Sequence, residues 1–309
     1  MPVPQRVEIR EVAMRDGLQN EWPIPLEAKL RLLQAISMTG VREVEVTAFV
    51  SASRVPAHAD AEQLAAQLYR WPKLTFSALV ASLTGARRAV AAGLETIEYV
   101  VSAADGHSHA NVGRSSAEAA ARISDIAQVV HSAGGQLEVI VATAWDCPFD
   151  GPVAPQRVIE LADRAVDTGA DAISLADTIG TTTPARVLDL VDQVRAVIGP
   201  TALGAHFHNT SGTGLASAYA ALLAGVTRLD ASVGGLGGCP FAPGASGNIA
   251  TEELLYLLDG CGVASGLNLP AVLTAAELAQ HAVDRTGTSN LLDAERGRRD
   301  RARQQAESR

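Results

Sequence analysis

The sequence contains little cysteine, few aromatic residues and no long apolar run. Its three cysteines, Cys147, Cys239 and Cys261, are an odd number and stand far apart, so they indicate neither a disulfide framework nor a zinc-binding cysteine pair. No apolar stretch is long enough to cross a bilayer, and residues 1–10 lack the apolar core of a signal peptide. We therefore expect a soluble, cytoplasmic chain.

Positive charge is also scarce. The chain has 25 lysine and arginine residues against 34 aspartate and glutamate residues, which gives a formal net charge of -9. No basic stripe is visible, and this disfavours nucleic-acid binding. With 47% hydrophobic residues, a chain of 309 residues can still bury a large core. A negatively charged substrate would need a local cluster of positive charge or a bound metal ion.

What the sequence does contain is a repeated unit, in which a helical pattern ends in glycine and a short β-branched run follows. Glycine is the usual left-handed residue after a helix, and apolar β-branched runs are typical of buried parallel strands. The predicted strands cover residues 7–12, 41–46, 74–80, 96–101, 137–141, 172–175, 202–207 and 226–233. The helical patterns between them cover residues 26–38, 59–68, 84–92, 117–132, 154–168, 184–198, 214–224 and 251–258. This alternation predicts a (β/α)8 TIM barrel of the α/β class, with an open doubly wound sheet as the alternative.

The predicted barrel forms one domain over residues 1–290. A further helix at residues 271–284 is expected to pack outside it, as an extra C-terminal helix. Residues 291–309 are dense in charge and are expected to form a disordered tail or a frayed helix. The first βα loop lacks the Gly-x-Gly-x-x-Gly pattern, which weakens a dinucleotide-binding interpretation.

Chemistry in such a barrel takes place at the carboxyl ends of the strands. Polar residues occur there along the whole chain: Arg15 and Asp16 after the first predicted strand, Glu45 in the second, Ser174 and Asp177 at the end of the sixth, His206 and His208 at the end of the seventh, and a glycine-rich loop, residues 234–248, after the eighth. The predicted fold brings all of them to one mouth.

His206 and His208 are two residues apart, so both imidazoles share one face if the chain there is extended. Imidazole is a common metal ligand, and Asp16 and Asn248 could add a carboxylate and an amide oxygen. This donor set suits an octahedral Mg²⁺ or Mn²⁺ with positions left for substrate oxygens. Each residue alone has a plainer explanation: Asp16 or Asn248 could cap a helix, and the histidines could simply end a strand. Their joint occurrence favours the metal site.

Four segments together resemble the 3-hydroxy-3-methylglutaryl-CoA lyase family, which belongs to the metal-dependent lyase and Claisen-condensing TIM barrels. They are residues 15–21 (RDGLQNE), residues 174–180 (SLADTIG), the His206/His208 pair and residues 237–248 (GGCPFAPGASGN). The resemblance extends from about residue 7 to residue 284, and the loop with its cysteine is the most specific part. It implies an acyl-CoA substrate, a divalent cation and a homodimer or larger homo-oligomer.

The resemblance also implies residue roles. The metal ligands would be Asp16, His206, His208 and Asn248. The catalytic residues would be Arg15, Glu45, Asp177, His206 and Cys239, and the substrate would be bound by Gln19, Ser174 and Thr178. Arg15 would stabilise the enolate oxygen, Glu45 would orient Arg15, and Cys239 would donate a proton from a mobile loop.

These residue types suit a retro-aldol cleavage of a tertiary alcohol, which yields acetyl-CoA and a 3-oxo acid such as acetoacetate. A metal acidifies the hydroxyl, His206 or Asp177 takes its proton, and Arg15 offsets the developing oxyanion. Cys239 protonates the enolate carbon, unless it is only a small residue in a tight loop. Two other classes remain open, a Claisen synthase that joins acetyl-CoA to a 2-oxo acid and a non-catalytic barrel that only binds.

Several features depart from the lyase pattern. Trp22 stands where a lysine is expected and Glu138 where an arginine is expected, so restoring both is expected to raise activity on the methylglutaryl thioester. Asn209 begins a segment that replaces Asp-Thr-Tyr-Gly. Residues 107–113 predict a solvated loop, with His107 and His109 as an alternative second ligand pair. The cations that could receive the phosphates of coenzyme A are Arg54, Arg87, Arg88 and Arg114.

Overall fold

The structure, a computed structural model, describes residues 3–238, 247–285 and 288–307. The strands are β1 (Glu8–Glu11), β2 (Glu43–Phe49), β3 (Thr75–Val80), β4 (Thr96–Ser102), β5 (Gln136–Ala142), β6 (Asp146–Cys147), β7 (Gly151–Pro152), β8 (Ala172–Asp177), β9 (Ala202–Phe207) and β10 (Arg228–Ala231). Eight of them close into a parallel barrel in the order β1-β10-β9-β8-β5-β4-β3-β2. The predicted (β/α)8 barrel is confirmed. The short strands β6 and β7 form an antiparallel hairpin that the sequence pattern did not predict.

The helices follow the strands along the chain. They are α1 (Leu26–Ser37), α2 (Ala61–Ala65), α3 (Leu83–Ala91), α4 (Asp105–Val112), α5 (Ser116–Ala120), α6 (Ile123–Ser132), α7 (Pro155–Asp167), α8 (Pro184–Ile198), α9 (Gly214–Leu223), α10 (Thr251–Gly260), α11 (Leu269–Ala282) and α12 (Asn290–Glu307). Helix α11 packs against α1 and is the extra helix that was predicted. None of these described helices is both long and apolar enough to cross a membrane.

Two helical segments differ from the prediction. Residues 117–132 fall in two helices, α5 and α6, which are separated by a turn between Ala120 and Ile123. Helix α5 begins with a complete capping box, in which the side chains of Ser115 and Glu118 each accept a hydrogen bond from the other's backbone N–H. Residues 107–113 are not a loop, since residues 105–112 form helix α4, which ends at Gly113 in the left-handed conformation.

Of the two alternatives for the C-terminal segment, a frayed helix or disorder, residues 290–307 form a helix, α12. Apolar and polar contacts tie it to α10 and α11. Leu292 is fully buried, the backbone N–H of Asn290 donates to Glu253 of α10 (2.6 Å), Arg296 donates to Gln280 (2.8 Å) and Arg299 donates to Glu277 (2.7 Å). The boundary of the barrel domain at residue 290 remains a prediction.

The middle of the barrel interior is charged. Branched aliphatic side chains usually fill this space in TIM barrels, but here Arg10 of β1 contacts Glu98 of β4 (2.9 Å), Glu138 of β5 (2.7 Å) and Asp230 of β10 (2.8 Å). Arg228 of β10 adds a second guanidinium on Glu138. All of these side chains are almost fully inaccessible to solvent except Arg228, which is partly buried. We call Arg10, Glu98, Glu138, Arg228 and Asp230 the charged layer.

Candidate active site and metal centre

The carboxyl ends of β1 and β9 bring Asp16, His206 and His208 together. Asp16 lies in a single π-helical turn, Ala13–Gly17, directly after β1, and such turns are frequent at functional sites. His206 lies in β9 and His208 follows it. His208 Nε2 is 3.3 Å from Asp16 Oδ2, and His206 Nε2 is 4.0 Å from the same oxygen. One ligand atom from each of the three buried residues lies within 4.8 Å of the others, which is the predicted convergence.

The donor set fits a divalent cation. Asn248 joins the cluster because its Nδ2 donates to Asp16 Oδ2 (2.7 Å). Its Oδ1 is buried without a hydrogen-bond partner among the described residues, and so is His208 Nδ1. Burial acts to raise the pKa of Asp16, but Arg15 and the two imidazoles outweigh it and hold that pKa well below its usual range. An ionised carboxylate with unused buried acceptors nearby is what a metal ion requires.

Gly237 makes room for this cluster. Its φ is +117°, and a Cβ at this position would overlap Asn248 Nδ2 and lie 3.2 Å from Asp16 Oδ2. A side chain there would displace two of the predicted ligands. The glycine that precedes the cysteine loop is thus a packing requirement of the metal centre.

Three side chains hold Arg15 in place, and one of them is Asp16. Its Nε donates to Glu45 Oε1 (2.5 Å), and its Nη1 donates to Asp16 Oδ1 (2.5 Å) and to Gln19 Oε1 (3.2 Å). Burial raises the pKa of Glu45, and the Arg15 guanidinium acts in the opposite direction. The predicted orientation of Arg15 by Glu45 therefore matches the contacts. Arg15 Nη2 has no acceptor among the described residues, so one N–H edge remains available.

Two buried residues that the sequence did not point to support this arrangement. His58 Nε2 lies 3.0 Å from the Arg15 carbonyl oxygen, and burial lowers the pKa of His58 to about 3. The ring is therefore neutral and donates from Nε2. Asp230 Oδ2 lies 3.1 Å from His206 Nδ1. The only sequence signal for Asp230 is an acidic residue inside a predicted strand, two residues after Arg228 and before the polar strand end.

A cavity of about 760 Å³ opens above the cluster. Arg15, Asp16, His206 and His208 line one side of it. The side formed by β2 to β8 is apolar and consists of Ala48, Leu79, Val100, Ile140, Ala142 and Ala176. The inner part of the cavity therefore pairs a polar wall that carries the predicted metal ligands with an apolar wall.

Three of the four predicted phosphate-binding cations line the outer part of the cavity. They are Arg54, Arg88 and Arg114. Arg87 is exposed and is not part of the lining. Arg88 donates to Glu62 (2.8 Å) and lies 5.6 Å from the centre of the Phe49 ring. The arginines form a positively charged rim in a protein of net negative charge.

The predicted residues in and just after β8 differ in their access to the cavity. Thr178 lines the cavity and accepts from the backbone N–H of Thr143 (2.8 Å). Asp177 accepts from the backbone N–H groups of Thr181 (3.2 Å) and Thr182 (3.1 Å), and burial raises its pKa. Ser174 is fully buried and does not line the cavity. Asp177 is thus tied to the loop after β8, although it lies close enough to His208 for their charges to interact.

Other predicted residues lie elsewhere. His107 and His109 are not a ligand pair, because His107 is buried on the cavity side of α4 whereas His109 is exposed and contacts the Asp105 carbonyl oxygen (2.8 Å). Trp22 is 90% exposed and does not line the cavity. Cys239, the predicted proton donor, lies outside the described residues.

Glu138 is not at the mouth either. It belongs to the charged layer, where it accepts from Arg10 and Arg228. The lyase resemblance predicts an arginine at residue 138, but in this barrel Glu138 is flanked by the guanidinium groups of Arg10 and Arg228. The predicted gain in activity from Trp22→Lys and Glu138→Arg together stays a prediction, and these contacts count against its Glu138→Arg half.

Comparison with known proteins agrees with this site. The sequence model of the HMGL-like family matches residues 6–279. The cytoplasmic 3-hydroxy-3-methylglutaryl-CoA lyase of Rattus norvegicus is 37% identical over 293 residues, which cover 94% of this chain and 85% of the relative. The (R)-citramalyl-CoA lyase of Chloroflexus aurantiacus is 40% identical over 285 residues, which cover 88% and 90%.

A solved structure is similar over nearly the whole chain. The HMG-CoA lyase of Acinetobacter baumannii, in complex with coenzyme A and 3-methylmalate, is 35% identical and has a TM-score of 0.90 over 94% of this chain and 95% of that one. Fold, sequence and the cluster of Asp16, His206 and His208 thus agree, and the chain belongs to the HMGL-like family, within which its relatives are acyl-CoA lyases.

Proposed function

We propose that this lyase cleaves an acyl-CoA that carries a tertiary hydroxyl on carbon 3, releasing acetyl-CoA and an oxo acid. The observation that carries the proposal is the cluster of Asp16, His206 and His208 beside Arg15 on the floor of the cavity. The apolar wall suits the alkyl substituent, and the arginine rim suits the phosphates of coenzyme A. 3-Hydroxy-3-methylglutaryl-CoA is the first candidate substrate, since it gives the R. norvegicus relative its name.

The side chains that would hold Mg²⁺ or Mn²⁺ are Asp16, His206, His208 and the Oδ1 atom of Asn248. When bound, the cation supplies a Lewis acid for the hydroxyl and thioester oxygens. Arg15 is positioned by Glu45 and Gln19 so that its free N–H edge can offset negative charge on the enolate oxygen. A fixed guanidinium needs no reorganisation during the reaction, which is why the Glu45 contact matters for rate.

The proton steps follow from the bond changes. The base removes the hydroxyl proton, the bond between carbons 2 and 3 breaks, carbon 3 becomes a carbonyl, and the resulting enolate takes a proton at carbon 2. Of the two predicted bases, His206 and Asp177, only Asp177 keeps a lone pair for the hydroxyl proton when His206 binds the cation through one ring nitrogen and donates to Asp230 from the other. Protonation by Cys239 remains a prediction from the resemblance. Asn20 donates to the Gly238 carbonyl (2.7 Å) and so holds the residue just before Cys239.

The role of the arginine rim in binding the phosphates of coenzyme A can be tested with two adjacent arginines of α3. Arg88→Gln is expected to raise the KM for a CoA thioester about tenfold with little change in kcat, because a hydrogen bond to a charged group contributes about 1.5 kcal/mol. Arg87→Gln is the matched control, since Arg87 does not line the cavity. Steady-state kinetics on both variants make the comparison. Equal KM values for the two would remove Arg88 from the phosphate site.

A second candidate substrate carries its carboxylate directly on carbon 3, as citramalyl-CoA does. Among the described residues, the inner wall offers no cation to a more distant carboxylate, since Leu79, Val100 and Ile140 are apolar and Arg10 and Arg228 are engaged by the charged layer. A carboxylate on carbon 3 instead stays next to Arg15 and the metal ligands. We therefore expect citramalyl-CoA to have the higher kcat/KM of the two thioesters.

The decisive experiment offers both thioesters to the purified protein with Mg²⁺ or Mn²⁺ and measures acetyl-CoA release. Turnover of at least one of them, at about ten per second, is expected. If neither is cleaved while acetyl-CoA and a 2-oxo acid condense, the protein is a Claisen synthase. A cytoplasmic location and a homodimer or larger homo-oligomer remain predictions, which cell fractionation and sedimentation would test.

A further inference from the structure

Asp230 contacts a predicted metal ligand, His206, through the ring nitrogen opposite the one that faces Asp16. Its Oδ2 lies 3.1 Å from His206 Nδ1, whereas His206 Nε2 faces Asp16 Oδ2. Both residues are buried, with 2% of Asp230 and 7% of His206 exposed. A carboxylate at Nδ1 selects the tautomer that carries its proton there, and this leaves the Nε2 lone pair free to bind a cation.

Arg10 fixes the Asp230 carboxylate with two parallel hydrogen bonds. Its Nε donates to Oδ1 (2.9 Å) and its Nη2 donates to Oδ2 (2.8 Å). This fork geometry sets the plane of the carboxylate as well as its position. The two side chains are also opposite each other in the pairing of β1 with β10. Arg10 and Asp230 are therefore part of the rigid barrel wall and not of a loop.

The remaining acids of the charged layer hold Arg10 from the other side. Glu138 accepts from Arg10 Nη1 (2.7 Å), and Glu98 lies 2.9 Å from the same atom. Neither touches His206. The layer thus connects β4 and β5, through Arg10 and Asp230, to the imidazole at the end of β9.

We propose that Asp230 is a positioning residue for metal binding, which fixes the His206 tautomer and ring orientation, and that Arg10 holds Asp230 in place. The proposal rests on the metal-dependent lyase proposed above, because it assumes that His206 binds the cation. Asparagine at residue 230 cannot satisfy both neighbours. In one amide orientation its oxygen accepts from Arg10 Nε and its NH₂ group meets Arg10 Nη2 and His206 Nδ1, which favours the opposite tautomer. In the other orientation its oxygen accepts from Arg10 Nη2 and His206 Nδ1, and its NH₂ group meets Arg10 Nε.

The first measurement is the tautomer itself, in metal-free protein labelled with ¹⁵N-histidine, at a pH of about 8 where an ordinary histidine is neutral. The His206 signals are assigned by their loss in His206→Gln. We expect the wild-type protein to carry the His206 proton on Nδ1 and Asp230→Asn to move it to Nε2 in a large fraction of molecules. A wild-type proton on Nε2 would overturn the proposal, and so would an unchanged tautomer in Asp230→Ala, which removes every acceptor from beside Nδ1.

The second measurement is Mn²⁺ affinity by calorimetry on the same proteins. Asp230→Asn should weaken binding roughly 10- to 100-fold, as is usual for the loss of a residue behind a metal ligand. The matched control is Asp171→Asn, which removes a carboxylate from beside a histidine outside the cavity, since Asp171 Oδ2 lies 2.9 Å from His131 Nε2, and its Mn²⁺ affinity should stay within about threefold of wild type. Equal losses in the two variants would mean general damage and overturn the proposal.

The two measurements separate this inference from the proposed function. If the wild-type protein binds no Mn²⁺, the metal site of the proposed function fails, but the tautomer still decides whether Asp230 positions His206. If Mn²⁺ binds and Asp230→Asn binds it equally well, the metal site stands and the positioning role is wrong.

Discussion

His208→Ala is expected to lower turnover at least about a thousandfold and to weaken Mn²⁺ binding while the barrel stays folded. His208 Nε2 lies 3.3 Å from Asp16 Oδ2, and the residue follows β9 at the mouth, outside the apolar packing of the barrel. Losing a Lewis acid forfeits several kcal/mol of transition-state stabilisation, and about 4 kcal/mol corresponds to about a thousandfold in rate. Steady-state kinetics, calorimetry and thermal unfolding measure the three expectations.

The control for this variant is another histidine with a carboxylate partner. His131 lies 2.9 Å from Asp171 on the outside of the barrel and does not line the cavity. His131→Ala should therefore keep wild-type turnover and Mn²⁺ affinity. Wild-type turnover in His208→Ala, or full activity of the wild-type protein after exhaustive chelation, would remove the metal from the mechanism.

Glu138→Arg is expected to destabilise the barrel by several kcal/mol, to the extent that folded protein is hard to recover. The side chain is 2% exposed and bonds both Arg10 and Arg228. Breaking a buried ion pair by removing one partner costs about 3–5 kcal/mol, and a third guanidinium adds repulsion. Urea unfolding measures the loss, and Glu160→Arg on the exposed side of α7 controls for the charge reversal itself.

A double-mutant cycle of Arg10→Gln and Glu138→Gln tests the reason for that loss. Neighbouring residues that interact have a coupling free energy of about 1–3 kcal/mol, so the double variant should lose less stability than the sum of the two single variants. Wild-type stability in Glu138→Arg would show that the position tolerates either charge. Additive losses in the cycle would mean that the Arg10 contact is not the cause.

The fold and the metal cluster followed from the sequence for the same reason. Glycine-terminated helical patterns and apolar runs indicate eight parallel strands, and parallel strands in a barrel end on one side. Asp16, His206 and His208 then have to meet, however far apart they are in the chain. The predicted contact of Glu45 with Arg15 also holds, since the carboxyl ends of neighbouring strands β1 and β2 place them side by side.

The interior of the barrel could not be predicted in this way. Arg10, Glu138 and Asp230 lie within strands whose alternation shows that they point inward, but alternation does not show which inward residues touch across the barrel. Glu138 was consequently interpreted as a residue of the mouth. Helix α4 was missed because residues 105–112 have no marked apolar face, and the helix depends on local capping and on the burial of His107.

The charged layer also constrains how the strands can align while the barrel forms. A slip of β1 by one residue would turn Arg10 from the interior to the helix-facing side, and Glu138 and Asp230 would then be buried without their shared guanidinium. An all-aliphatic interior would accept such a slip at small cost, because one branched side chain packs much like another. The charged layer therefore destabilises barrels in which β1 pairs in the wrong register. Because Asp230 of the same layer contacts His206, the correct strand register and the correct geometry of the metal centre form together.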